Sequence, residues 1–174
     1  MARDQSAALP AAYVFIRILI VLNWMFGACV LGLLAYTFID PVWTMKALGV
    51  TGYPDARSVM AGMQAIAALG LVAIPINHFI LTRLLKMVGT VRRGDPFVAD
   101  NAYRLNAIAW ALLGLQLLSL VIAGIARTIS TPQHPFHLNA GFSTSGWLAV
   151  VLTFVLARVF AEGTLMREDL EGTV

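Results

Sequence analysis

The stretch Arg83–Trp110, RLLKMVGTVRRGDPFVADNAYRLNAIAW, decides how this chain is folded. It separates two long apolar runs and carries Arg83, Lys86, Arg92, Arg93 and Arg104, five of the twelve Lys and Arg residues. A short basic connection between membrane-length apolar runs is retained in the cytoplasm and orients the helices on both sides of it. The apolar stripe of Leu84, Leu85, Met87, Val88 and Val91 continues helix beyond the membrane edge. Gly94 is a good helix stop, and Asp95-Pro96 reads as a restart, with the carboxylate as N-cap and the proline at the first helical position.

Outward from this hairpin the runs are long. Ile18–Ile39 holds no Asp, Glu, Lys or Arg over 22 residues, Ser58–Thr82 holds none over 25, and the 22 residues between Arg104 and Arg127 hold none either. About 20 apolar residues span a bilayer core as a helix. A fourth run starts at Phe142. The expected fold is therefore all-α, a four-helix transmembrane bundle with helices over about 12–39, 58–93, 96–127 and 142–166, in one membrane domain covering residues 1–174. Asp40-Pro41 closes the first helix, and Pro41–Arg57 reads as an outer loop. The first run has no clean cleavage site and is expected to be retained. Tyr13 and Tyr36 suit its interfacial belts.

Composition agrees. The 174 residues are 59% hydrophobic and 12% charged, against about 25% charged in soluble domains. A chain this short cannot bury so much apolar surface in one water-soluble core. The net charge of +3 does not argue for direct nucleic-acid binding, because the basic residues stand where topology needs them. Arg3, Arg17, the five of the hairpin, Arg158 and Arg167 make nine on one side; Lys46, Arg57 and Arg127 make three on the other. Both termini are thus expected in the cytoplasm, and the bacterial inner (plasma) membrane is the expected location. Cys29, the single cysteine, reads as a small core residue rather than a reactive thiol.

Polar residues inside the runs are the candidates for function. Pro75, followed by Asn77 and His78, reads either as a kink re-solvated by its neighbours or as a broken-helix binding site. Gln116, about 18 Å into the third helix, is expected to bond across a helix pair. Arg17, Asn23, Asn77, His78, Asn106, Arg158 and Glu162 fall in the inner half. They form either a register-fixing polar network or a site for an anionic headgroup, a lipid-soluble ligand or a proton. Arg158 and Glu162 are four apart and suited to pair. Gly141, Ser145, Ala149, Thr153, Ala157 and Ala161 recur at every fourth position, a small-residue ridge for close helix packing, with Ala28 and Gly32 or Ala61 and Ala65 as facing positions. His134 and His137 flank Pro135, which argues against a shared metal. No metal, no cofactor and no catalytic residue is expected, because no phosphate loop, ligand cluster or nucleophile elbow is present.

Gly94-Asp95-Pro96-Phe97, then Asn101-Ala102, Arg104-Leu105 and Trp110, resemble the bacterial inner-membrane family catalogued as domain of unknown function 2975. The C-terminal pattern is similar too, with Val159-Phe160, Gly163, Leu165 or Met166 and Glu168, and a Glu171-Gly172-Thr173-Val174 ending. The resemblance covers nearly the whole chain. It implies a four-helix membrane protein, without established activity or catalytic residues, encoded beside a small cytoplasmic helix-turn-helix regulator. The expected function is that of a non-enzymatic sensor, regulator partner or protective factor. It would act through the basic hairpin and the C-terminal tail, with Arg92, Arg93, Asp95 and Phe97 positioning the surface. The alternative is a lipid or small-molecule binder or transporter built on the inner polar cluster.

Overall fold

The computed structural model describes residues 5–53, 55–130 and 141–171. The described residues form five α-helices, α1 (Gln5–Ile39), α2 (Pro41–Ala47), α3 (Ala56–Arg92), α4 (Ala99–Ile129) and α5 (Thr144–Glu171), with a 3-10 turn at Val50–Gly52. No strand occurs among the described residues. Four of the helices, all but α2, are long and apolar enough to cross a membrane. The chain is all-α and a multi-pass membrane protein. Large apolar side chains exposed along α1, among them Phe15, Met25, Phe26 and Leu33, have lipid as their natural solvent, since moving apolar surface out of water is favourable.

Residues Trp24–Pro75 and Leu115–Ser143 form one compact unit. Its core is Val50, Val59 and Ile129, with Tyr53, Ala56, Met63 and Ile66 packed on it. Helices approach closely where side chains are missing. A Cβ on Gly62 would lie 2.5 Å from Ile129, and one on Gly27 would lie 3.0 Å from Ile74. The Gln64 amide donates across to the Thr37 hydroxyl at 2.9 Å, and Thr37 donates to the Leu34 carbonyl. The stretch after α1, read from sequence as a loop, is helical over Pro41–Ala47. Asp40 accepts from the Trp43 N–H at 2.9 Å, and Pro41 occupies the first turn. The dipeptide that ends α1 therefore also starts α2. Cys29 is exposed, not the core residue that its apolar surroundings indicated. Its stretch of α1 faces outward, and only Gly27 is buried beside it.

The second unit holds residues 1–23, Ile76–Gly114 and Thr144–Val174. α4 buries Asn101, Leu105 and Ile108, the i, i+4, i+7 stripe of an inward helix face. α5 buries Val150, Ala157 and Thr164, a seven-residue spacing. A seven-residue step stays on one face, whereas a four-residue step drifts by about 40° each time. Gly141 precedes α5, and the rest of the ridge, Ser145, Ala149, Thr153, Ala157 and Ala161, accordingly winds around the helix: Ser145 and Ala149 are exposed, Ala157 is buried, and Thr153 and Ala161 are half-buried. α4 lies beside the C-terminal part of this ridge, where Ala102, Tyr103, Asn106, Phe154, Ala157, Arg158 and Ala161 line a groove of about 400 Å³. Of the facing positions read from sequence, Ala28, Gly32 and Ala61 are exposed and Ala65 is half-buried.

Candidate functional site

The described site grows from the turn after α3. Gly94 has φ +82, a backbone that strains any residue with a Cβ. Around it the Gly94 N–H reaches the Val91 carbonyl at 3.0 Å and the Asp95 N–H reaches that of Thr90 at 3.1 Å. This paired arrangement is a Schellman stop. It commits Asp95 to the end of α3, so Asp95 is not the N-cap of α4: residues 95–98 are non-helical and α4 begins at Ala99.

With its carboxylate free of capping, Asp95 accepts from Arg167 near the end of α5, both side chains being about half exposed. Phe97 reaches the same helix. Its ring centre is 5.3 Å from that of Phe160, and a Cβ on Gly163 would lie 3.0 Å from its ring. The bare backbone at Gly163 is what lets Phe97 seat. The Gly-Asp-Pro-Phe turn and the Phe160–Arg167 segment, far apart in sequence, thus form one clasp.

Under the clasp is a buried polar knot. Asn101 is 0% exposed, and its side-chain amide donates to the Thr90 hydroxyl at 2.7 Å and the Pro96 carbonyl at 2.9 Å. Its carbonyl accepts from Arg104 at 2.8 Å, and Arg104 also holds Asp100 at 2.7 Å. Thr90 donates on to the Met87 carbonyl at 2.7 Å. Every polar arm of Asn101 is used, which is what makes its complete burial tolerable.

The named candidates divide between two places. Arg17 donates to the Tyr13 hydroxyl at 2.9 Å and lies 4.9 Å from the Tyr13 ring centre. The Arg92 guanidinium lies 5.2 Å from that same ring, and Arg93 stands beside it over Gly89, all three arginines being exposed. Arg158 and Glu162 pair at 2.8 Å on the exposed face of α5, with Asn106 and Tyr103 along the adjoining groove. Neither a hydrogen bond nor an ion pair joins the Arg17 group to the Arg158 pair among the described residues. Asn23, Asn77, His78 and Gln116 are half-buried, and α3 runs unbroken through Pro75. Arg3, His134 and His137 lie outside the described residues. Sequence reading passed over Thr90, Asn101 and Gln64 as functional or bridging groups. Asn101 carried one local signal, a polar residue at the head of an inward stripe.

One cavity is apolar. It measures about 350 Å³ and is lined by Leu34, Tyr36, Trp43, Met60, Met63 and Gln64 among others, within the unit that contains α2.

Compared with known proteins, the chain matches the profile of the family described as protein of unknown function (DUF2975) over residues 12–174. No curated protein and no solved structure matches it.

Proposed function

This chain belongs to the DUF2975 family, and from that premise we propose that it is a non-enzymatic protein of the bacterial inner membrane, with both ends in the cytoplasm, that docks a soluble regulator. A small helix-turn-helix protein is the partner class. The clasp carries this reading. Asp95 with Arg167, and Phe97 with Phe160 and Gly163, tie the hairpin turn to the end of α5, so that two separate segments present one surface. Beside them Arg92 and Arg93 stand exposed, outside the ion pairs formed by the described residues. Uncompensated charge on an ordered frame steers and orients a partner of opposite sign.

The test is capture of the purified candidate regulator by the tagged full chain in mild detergent. Wild type is expected to retain it, and Arg92→Ala with Arg93→Ala to lose it while melting like wild type. Equal retention by both overturns the reading. The groove lined by Tyr103, Asn106 and Arg158 favours a second reading, a lipid or small-molecule binder. A molecule that co-purifies with the chain and is lost on Arg158→Gln would support that reading instead.

A further inference from the structure

Tyr13, Gly89, Arg92 and Arg93 line a notch of about 370 Å³, and Arg17 closes on the same tyrosine. Two permanent positive charges, Arg17 and Arg92, therefore lie over one ring, and a third, Arg93, lines the notch beside them. None is paired with a carboxylate among the described residues, whereas Arg104, Arg158 and Arg167 each have one. Gly89 keeps the notch open: a Cβ there would meet only the Arg93 guanidinium, at 3.8 Å, and a longer side chain would fill the space.

The arrangement is selective for one chemistry. A guanidinium presents a planar fork of donors that matches phosphate oxygens in pairs. Contact with Tyr13 restrains Arg17 and Arg92, so less rotamer entropy remains to be lost on binding. Like charges held together repel, and an anion between them reverses the sign of that energy. Depth agrees. Tyr13 precedes the uncharged run of α1 by five residues, roughly 7 Å, which is headgroup depth. Arg92 lies nine residues, roughly 14 Å, past Arg83, within reach of the aqueous side.

We propose that the notch of Tyr13, Arg92 and Arg93, with Arg17 held on the same tyrosine, binds a phosphate group, carried by a membrane phospholipid or by a soluble ligand. It shares Arg92 and Arg93 with the docking surface but does not rest on it. Gly89 and Arg17 lie outside that surface, so their variants should capture the regulator as wild type does.

The experiment uses the full chain in a phosphate-free detergent. Phosphatidylglycerol is titrated by native mass spectrometry, and inorganic phosphate is titrated separately by calorimetry. One saturable site is expected. Arg17→Gln should weaken it about tenfold, the loss of one charge-assisted pair, and Gly89→Leu, which removes no charge, should weaken it about as much by filling the notch. Lys46→Gln, in the other unit, should leave it unchanged. Binding of the lipid alone assigns a headgroup, and binding of inorganic phosphate alone assigns a soluble ligand; either supports the notch. Binding of neither overturns it, as does Gly89→Leu binding like wild type or Lys46→Gln weakening binding equally. Should Gly89→Leu fail to fold, Tyr13→Phe decides. It keeps the ring and every charge but frees Arg17, and an unchanged affinity would sink the proposal.

Discussion

Asn101 is the residue on which the most local order depends. It is fully buried and joins the end of α3, the turn and the first turn of α4 through Thr90, Pro96 and Arg104. Asn101→Leu removes both donations and leaves the Pro96 carbonyl and the inner nitrogen of Arg104 without this partner. A buried group stripped of its partner costs about 1–3 kcal/mol, so a loss of about 2–3 kcal/mol is expected in denaturant unfolding. Asn101→Asp isolates the donor half. It keeps the acceptor for Arg104 but turns both amide donations into oxygen facing oxygen. If Asn101→Leu unfolds at wild-type denaturant, the knot carries no stability. Gly163 makes a different kind of contact. Gly163→Val brings a branched side chain to the face of Phe97, already 3.0 Å from an added Cβ. The ring must leave Phe160, and the Arg92–Arg93 bonds should become more readily cleaved by trypsin. Unaltered cleavage would show that Phe97 does not hold the turn.

At the scale of elements, one dipeptide had two outcomes. Asp-Pro occurs at positions 40–41 and again at 95–96. The cap assigned from sequence to Asp95 is instead formed by Asp40, which accepts from the Trp43 N–H and opens α2. Local chemistry is the same at both, so the difference lies in what the neighbours demand. Gly94 places Asp95 in the closing turn of α3, and Arg167 then takes its carboxylate. Arg167 is 72 positions away, and nothing in a local window announces it. The four membrane helices were legible because length and lack of charge suffice to identify them. α2 was overlooked because seven residues give too little periodicity to set against a stretch broken by Gly49, Gly52 and Pro54. Two variants separate the outcomes. Asp40→Ala should cost about 1 kcal/mol at α2 and speed amide hydrogen exchange over residues 43–47. Asp95→Ala should leave exchange at the head of α4 unchanged and cost under about 1 kcal/mol, since its pair is half exposed. Faster exchange at Ala99–Asn101 in Asp95→Ala would restore the capping role.

Across the whole molecule the proposed orientation rests on where Lys and Arg fall, nine against three. Three of the nine, Arg104, Arg158 and Arg167, are ion-paired in the folded chain. Discounting them would narrow the margin, but the rule is not one of net charge: it acts while helices insert, and Asp and Glu contribute little. Each pair, moreover, falls in the same compact unit as Arg17, Arg83, Arg92 and Arg93, so pairing weakens the folded field without moving the bias. The structure also offers a clean readout. Cys29 is the single cysteine and is exposed, so Cys29→Ser yields a silent background into which one reporter is placed at a time. Lys46→Cys lies in α2 and should react with a membrane-impermeant maleimide added to intact spheroplasts. Arg93→Cys, at the hairpin turn, should react only after the membrane is opened. The reverse pattern would put the hairpin outside, remove the clasp from any cytoplasmic regulator, and leave the arginine notch facing the opposite leaflet. Mixed labelling at both positions would mean dual insertion, with a bias too small to fix one topology.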